Sequence, residues 1–274
     1  MRRNKMYTLV IHGGAGSKKE LSPEREETIK DILETGKKML KSGAEATDVV
    51  EKCIKMFENS SYFNAGRGAV YNSKGQHTLE AGIMNGRTLK CGAISYVSHV
   101  KNPISLARVI MDHTEYCMVV GRDAESIAEK LGLEMVDESY YVYRPHHLLG
   151  TVGCVARDIR GNLAAGTSSG GMPLKNPGRV GDSPLIGSGT YANRFVAVSC
   201  TGYGEDFIRN QVAYQIFSRY YFAKQPLPMA CRESMRETFG GVIAVDYNGT
   251  PHVFYNTPAL VWGIANKDKI RYGS

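Results

Sequence analysis

Apolar positions in the first half of the chain recur at the spacing of helices. Beyond Pro23 they would share one helical face, which predicts an amphipathic helix with a buried stripe at Ile29, Ile32, Leu33 and Leu40. A second amphipathic segment follows, and a proline in the first turn favours a third helix from Pro103. The predicted helices cover residues 46–57, 103–111 and 124–131, and short strands are predicted at 7–11 and 91–98.

The second half of the chain changes to alternating strand patterns. Residues 151–157 and 162–169 flank the turn sequence DIRG, and residues 240–256 form a hairpin pattern that turns at Asn248-Gly249. Residues 194–200 are predicted as a further strand and 206–224 as one long helix, whereas 132–149 has the weak periodicity of a linker. This order favours an α+β class with layered sheets over a regular βαβ alternation.

Composition is typical of a globular protein. The chain has 274 residues, of which 42% are hydrophobic and 22% charged. No apolar run reaches the roughly 18 residues that span a bilayer, and the apolar start at 7–11 is too short for a signal peptide. Six widely spaced cysteines without a C-x-x-C motif indicate reduced, buried thiols. We therefore expect a cytoplasmic protein that does not interact with membranes.

Charge and histidine content exclude two further classes of partner. The formal net charge is +7, but the basic residues are dispersed without a recognition motif, so nucleic-acid binding is not expected. The seven histidines include no H-E-x-x-H motif, and no metal site built from side chains is predicted.

The sequence GTSSG at 166–170 matches the G-x-S-x-G motif of serine hydrolases, with Ser168 as the nucleophile. That motif requires a strand that turns sharply into a helix. Here the following segment contains Pro173, Pro177 and Pro184 among repeated glycines, which is incompatible with a helix. The sequence therefore argues against an α/β-hydrolase, and His12 in HGGAG is interpreted as structural.

Thr151 directly follows Gly150 where a strand begins, and this step permits a different nucleophile. A threonine freed at its N-terminus carries both a hydroxyl and an α-amine, whose pKa near ~7.7 to 8.0 suits a general base at neutral pH. The preceding residue must be small so that the hydroxyl can reach the carbonyl of the bond that breaks, and glycine satisfies this. By itself, however, the pair is more typical of an ordinary strand start.

Other polar residues lie where they could complete such a site. Ser169 ends the neighbouring strand and Thr201-Gly202 ends another, so a second hydroxyl and oxyanion donors could converge on Thr151. Arg179 and Asp182 share a constrained loop and would bind the carboxylate and ammonium groups of an α-amino acid. The alternative is that these two charges simply pair with each other.

Together these segments resemble the plant-type L-asparaginases and isoaspartyl peptidases, which are threonine N-terminal-nucleophile hydrolases. The matching segments follow one order over nearly the whole chain: HGGAG, FNAGRGAV, IMNG, NPISLAR, LLGTVGCVARD, GTSSGG, GRVGDSPLIGSGTYA and CTGYGE. The resemblance implies one domain with a four-layer αββα sandwich and self-cleavage between Gly150 and Thr151 into residues 1–150 and 151–274. It also implies hydrolysis of asparagine or of β-aspartyl dipeptides.

The same resemblance assigns roles to individual residues. Thr151 would be the nucleophile, Arg179 would bind the substrate α-carboxylate and Asp182 the α-amine. Thr201 and Gly202 would contribute to the oxyanion hole. Asn64 would help to position Thr151. No organic cofactor is implied, but backbone carbonyls near Glu58, Ser61 and Phe63 would hold a sodium ion, and the protein would be a homodimer of cleaved protomers.

The chain departs from the family pattern at two places. Ser169 replaces the usual threonine, which keeps the hydroxyl but loses the methyl group that restricts its rotamer, so we expect slower maturation. The usual D-A-S-I-M-D-G is EAGIMNG, starting at Glu80. The segment before Thr151 is also shorter than in many relatives. A glycosylasparaginase, or a non-processing protein that binds aspartate-like ligands, remains as an alternative.

Overall fold

The computed structural model describes residues 6–16, 21–142 and 150–274. Residues 143–149 of the predicted linker lie outside these ranges. The helices are α1 (Pro23–Ser42), α2 (Ala46–Asn59), α3 (Pro103–His113), α4 (Gly121–Lys130), α5 (Gly204–Asn210), α6 (Val212–Tyr221) and α7 (Leu227–Ser234). The strands are β1 (Thr8–Gly16), β2 (Leu79–Asn85), β3 (Cys91–Val97), β4 (Met118–Val120), β5 (Val152–Arg157), β6 (Leu163–Ser169), β7 (Thr190–Ala192), β8 (Val196–Gly202), β9 (Gly240–Asp246), β10 (Pro251–Tyr255), β11 (Ala259–Asn266) and β12 (Ile270–Gly273).

These strands form two sheets. The larger has the order β12-β11-β1-β5-β6-β2-β3-β4 and the smaller the order β10-β9-β8-β7. Neighbouring strands are antiparallel except β3 and β4, which are parallel. The fold is therefore mixed, with helices and two sheets, as the sequence predicted at the level of class.

Three apolar clusters form the core, and strand alternation assigns residues to them. On β1, Leu9 and Ile11 join a cluster with residues of α1–α4, whereas Val10 joins a cluster that includes Ile243 and Val245 of the smaller sheet. A third cluster contains residues of β8 and β9 together with α5–α7. Alternate side chains of β1 thus lie in different apolar clusters, so both faces of this strand are buried.

The predicted helix over 206–224 is wrong as a continuous element. Gln211 adopts left-handed backbone angles (φ 48°) and separates α5 from α6. The first N–H groups of α6 donate to the loop before β7, from Ala213 to Ser188 (3.1 Å) and from Tyr214 to Gly187 (2.8 Å). These contacts satisfy N–H groups at the start of α6 that have no partner within the helix. The chain therefore changes direction at Gln211, although no glycine or proline there would have predicted a break.

Three other expectations have mixed outcomes. The hairpin turning at Asn248-Gly249 is confirmed as β9–β10, with Gly249 at φ +81°. β1 does not stop at Ile11 but continues to Gly16 after an irregularity beyond His12. All six cysteines are free, but only four are buried, since Cys91 is partly buried and Cys117 is exposed. Within the described ranges, no helix has the length and apolar character needed to cross a bilayer.

Strand ends bring the predicted polar residues to one edge of the larger sheet. β5 begins directly after Thr151 and β6 ends at Ser169, and their antiparallel register pairs Val152 with Ser168. On the other side of β6, Glu80 at the start of β2 is the cross-strand partner of Ser169. The sequence order of these residues is therefore unrelated to their proximity in space.

Candidate active site

A cavity of about 210 Å³ opens at this edge. It brings together most of the residues that the sequence singled out, while Thr201 lies buried just behind it. The lining residues are Ala15, Asn64, Glu80, Gly150, Thr151, Ser169, Gly171, Met172, Pro173, Arg179, Asp182, Gly202, Tyr203 and Gly204.

Thr151 and Ser169 are in direct contact in this cavity. The Thr151 hydroxyl donates to the Ser169 Oγ at 2.9 Å, and the backbone N–H of Gly171 donates to the same oxygen at 2.9 Å. Both side chains are buried. The Thr151 hydroxyl is therefore held in one orientation by an acceptor that is itself fixed by the backbone.

Gly150 lies against the end of β1 and against Thr201. A Cβ atom placed on Gly14 would come within 2.4–2.7 Å of Gly150 backbone atoms, and one placed on Gly150 would lie 3.0 Å from Thr201 Oγ1. Gly14 has φ +104°, which favours glycine. The Thr201 hydroxyl accepts from the Ala15 N–H at 3.3 Å, so its own hydrogen remains to be donated elsewhere.

Arg179 is paired with Glu205 and not with Asp182. Its Nε and Nη2 donate to the two carboxylate oxygens of Glu205 at 2.9 and 3.0 Å, and this bidentate contact lowers the pKa of Glu205. Its Nη1 lies 4.0 Å from Glu80 Oε1. The interpretation of Arg179 and Asp182 as a simple loop ion pair is therefore wrong, since α5 supplies the partner of Arg179.

Asp182 is a buried carboxyl with spare bonding capacity. Its Oδ2 has no hydrogen-bond partner among the described residues. Burial, reinforced by the nearby Glu80 carboxylate, raises the pKa of Asp182 to about 7. Asp182 lines the cavity, and a carboxylate at this place can bind an incoming cation such as an ammonium group.

Asn64 organises the loops around the nucleophile. Its side-chain amide donates to the Gly171 carbonyl at 2.7 Å and accepts from the Val70 N–H at 3.0 Å. Because the Gly171 N–H binds Ser169, Asn64 acts on the surroundings of Thr151 through Gly171, and its two side-chain hydrogen bonds described here go to Gly171 and Val70.

Ser168 and His12 have buried structural partners. Ser168 donates to Glu58 Oε1 at 2.7 Å, and no helix follows it, so the serine-hydrolase interpretation fails as predicted. His12 Nε2 lies 3.0 Å from Ser199 Oγ, and burial lowers the pKa of His12 to about 3. His12 is therefore neutral at physiological pH.

Sequence reasoning missed three charged residues around the cavity. Glu80 was noticed only as a departure from the family pattern, while Glu205 and Lys175 were not singled out. Lys175 is buried and donates to the carbonyls of Thr78 and Gly170 at 2.8 Å each. Glu205 is the last residue of the matching segment CTGYGE and lies in the first turn of α5, and its place in that segment is the sequence signal that could have indicated it.

No side-chain metal centre is present in the part of the chain that the structure describes. Groups of three or more histidine, cysteine, aspartate or glutamate residues with suitable geometry are absent there. The cavity instead offers the Thr151–Ser169 hydroxyl pair, backbone donors, the Arg179 guanidinium and the two carboxyl groups of Glu80 and Asp182, which suits acyl transfer on a zwitterionic substrate.

Comparison with known proteins agrees with this chemistry. The family model described as asparaginase matches residues 5–147 and 141–273. The chain is 40% identical to an isoaspartyl peptidase of Escherichia coli (strain K12), with 94% of this chain and 92% of that protein covered. It is 36% identical to a plant-type L-asparaginase of Pyrococcus furiosus, with 92% and 94% covered. A putative isoaspartyl peptidase/L-asparaginase of Dictyostelium discoideum is also 36% identical, over 95% and 93%. This chain therefore belongs to the asparaginase family of amidohydrolases.

Proposed function

We propose that this chain is a self-processing amidohydrolase that cleaves L-asparagine and β-aspartyl dipeptides through a covalent β-aspartyl ester on Thr151. The observation that carries the proposal is the 2.9 Å contact between the Thr151 and Ser169 hydroxyls, directly beside the Gly150 peptide and inside the cavity. The names of the relatives support the same substrates.

Maturation would begin with attack by the Thr151 hydroxyl on the Gly150 carbonyl. The acyl group moves from the Thr151 nitrogen to its oxygen, and water then hydrolyses the resulting ester. Gly150 packs closely here, because a Cβ on Gly14 would clash with the Gly150 backbone and one on Gly150 would lie only 3.0 Å from Thr201 Oγ1, which supports this geometry. The products would be residues 1–150 and a chain that begins at Thr151 with a free α-amine.

Substrate turnover would repeat the chemistry on a bound amide. Thr151 Oγ attacks the β-carbonyl while its α-amine accepts the hydroxyl proton and passes it to the leaving ammonia or amine. Thr201, whose hydroxyl hydrogen is available, and Gly202 would stabilise the oxyanion. Water then releases aspartate from the ester. Arg179 would bind the substrate α-carboxylate and Asp182 its α-ammonium, with Glu205 orienting the guanidinium.

A sodium ion is proposed at the loop after α2. One Cβ placed on Gly66 would lie 2.5 Å from the Glu58 carbonyl oxygen, and one placed on Gly68 would lie 2.3 Å from that of Phe63 and 2.9 Å from that of Ser61. The two glycines thus allow these carbonyls to crowd one tight turn, and oxygen ligands suit a hard cation. Sodium would brace the loop that carries Asn64, and a midpoint of thermal unfolding higher in sodium than in equimolar choline would support it.

The finer architecture is part of the same proposal. The three apolar clusters, one between α1–α4 and the larger sheet, one joining both sheets and one between the smaller sheet and α5–α7, support a single four-layer αββα unit. We also propose a cytoplasmic homodimer of cleaved protomers that binds neither nucleic acid nor membranes. Light scattering of purified protein tests the dimer.

Activity assays with Thr151→Ala test the catalytic assignment. The wild type is expected to release aspartate from asparagine and from β-aspartyl dipeptides, whereas Thr151→Ala stays a single chain without activity. Faster turnover of glycosylated asparagine would instead identify a glycosylasparaginase. Calorimetric binding of aspartate to a wild-type chain that never processes or turns over substrate would identify a binding protein and contradict the proposal.

A further inference from the structure

Glu80 is a buried carboxylate in the wall of the cavity that the mechanism above does not use. Only 2% of the residue is exposed, and it is the cross-strand partner of Ser169. A carboxylate in such a place is costly unless hydrogen bonds and opposite charges compensate it. Its contacts therefore indicate what it stabilises.

One oxygen of Glu80 binds the backbone of the loop that carries Arg179 and Asp182. The Gly181 N–H, which lies between those two residues, donates to Glu80 Oε2 at 2.9 Å. The fit is tight, because a Cβ on Gly181 would lie 2.4 Å from Glu80 Oε1 and 2.8 Å from Arg179 Nη1. This contact links the nucleophile strands to the loop that would recognise the substrate head group.

The other oxygen of Glu80 faces positive charge. Glu80 Oε1 lies 4.0 Å from Arg179 Nη1, on the side of the guanidinium that Glu205 leaves open. Lys175, whose ammonium binds the Thr78 and Gly170 carbonyls, also interacts electrostatically with Glu80. The Glu80 carboxylate is thus compensated by Arg179, which lines the cavity, and by the buried ammonium of Lys175.

We propose that Glu80 is a positioning residue that sets the distance between the Thr151–Ser169 pair and the head-group loop at 179–182, and that supplies negative charge beside the predicted ammonium site. This inference rests on the proposed function. It assigns two separable actions to one side chain: a hydrogen bond to Gly181 that any oxygen acceptor can make, and a charge that only the carboxylate carries.

The negative charge of Glu80 acts on the ionisation of Asp182. The charged or titratable groups that act on Asp182 come from β2 (Glu80), its own loop (Arg179) and α5 (Glu205), and the buried thiol of Cys200 on β8 also interacts with it. Burial raises the pKa of Asp182 most, and Glu80 raises it further. Removing the Glu80 charge therefore lowers this pKa and keeps Asp182 ionised at lower pH.

Two variants separate the two actions. Glu80→Gln keeps an oxygen for Gly181, so KM at pH 8 should stay within about threefold of wild type. The acid limb of aspartate binding, followed as the competitive inhibition constant against pH, does not require the Thr151 α-amine to be unprotonated and should move to lower pH by about half a unit or more. Glu80→Ala loses the bond as well, and KM should rise about tenfold with kcat changed less. Rates are normalised to the fraction of chains that begin at Thr151.

Glu125→Gln is the matched control. Glu125 is a buried glutamate that binds the Ser98 and His99 backbone, away from the residues that line the cavity, and its replacement should leave KM and the acid limb unchanged. If the acid limb of Glu80→Gln lies at the same pH as that of wild type and of Glu125→Gln, the inference is wrong. If Glu80→Ala fails to fold, the Glu80→Gln profile alone decides. A wild type without hydrolytic activity would refute the proposed function itself, and this result is distinguishable from an unshifted acid limb in Glu80→Gln.

Discussion

The Ser169 side chain connects the Thr151 hydroxyl to the backbone N–H of Gly171. Its oxygen accepts from the Thr151 hydroxyl and from the Gly171 N–H, so its own hydrogen must point elsewhere. The neighbouring Ser168 points to the opposite face of β6 and binds Glu58. Two adjacent serines thus have separate tasks that substitution can distinguish.

Replacing Ser169 should slow self-cleavage. Ser169→Ala removes the acceptor that orients Thr151, and we expect cleavage about 100-fold slower. Ser169→Thr restores the hydroxyl with a restricted rotamer and should cleave severalfold faster than wild type. The rates are measured from the intact mass over time.

Ser168→Ala is the control for these variants. It leaves Glu58 with one partner fewer and should cost about 1–3 kcal/mol of the free energy of unfolding, but cleavage should continue. Loss of all activity in Ser168→Ala, with normal cleavage and turnover in Ser169→Ala, would reverse our assignment of the two serines.

Buried His12 should make stability depend on pH. Its pKa is about 3 in the folded protein against 6.5 ordinarily, so between these values the unfolded chain binds a proton that the folded one does not. Stability is then lost as pH falls below 6.5, with a slope of about 1.4 kcal/mol per pH unit from this residue. Urea unfolding between pH 4.5 and 7 measures it.

The slope is assigned to His12 by comparison. His12→Gln should have a shallower dependence than wild type, whereas His113→Gln at an exposed position should match wild type. Equal slopes for wild type and His12→Gln would show that the imidazole is not kept neutral in the fold.

At the scale of elements, close helix–sheet contact depends on glycine. A Cβ on Gly92 of β3 would lie 1.9 Å from the Ala107 carbonyl oxygen and 2.6 Å from the Met111 nitrogen, both in α3. We expect Gly92→Ala to cost about 3 kcal/mol of the free energy of unfolding, because backbone must move. Gly75→Ala has open space but φ +78°, and should cost only about 1 kcal/mol. Equal costs in urea denaturation would contradict the packing argument.

Elements with a local signal were predictable from the sequence, and those without one were not. The β9–β10 hairpin follows from Asn248-Gly249, since glycine suits the turn. The break at Gln211 depends on carbonyls of the Gly187-Ser188 loop, which are distant in sequence. In the same way, the roles of Glu80 and Glu205 depend on strand register and on the placement of α5, which composition and spacing do not encode.

At the scale of the whole molecule, the predicted fragments are interleaved. In the larger sheet, β1, β2, β3 and β4 lie within residues 1–150, while β5, β6, β11 and β12 come from 151–274. β1 pairs with β5 and β11, and β6 pairs with β2. Each fragment therefore completes the other's hydrogen-bonded ladder and shares its apolar core.

Cleaved protein should consequently remain one folded unit. We expect both fragments to elute together in gel filtration without denaturant and to separate in 6 M guanidinium, with one cooperative unfolding transition. Separation of the fragments under native conditions would show that the ladder between them does not hold after cleavage.

The central claim is that the Gly150–Thr151 bond breaks to create the catalytic group, and N-terminal sequencing combined with activity tests it most directly. Aliquots of freshly purified protein are sequenced and assayed with asparagine as they age. The account predicts a growing fraction of chains that begin Thr-Val-Gly-Cys, with activity proportional to that fraction. Full activity in protein that contains no such terminus would contradict it.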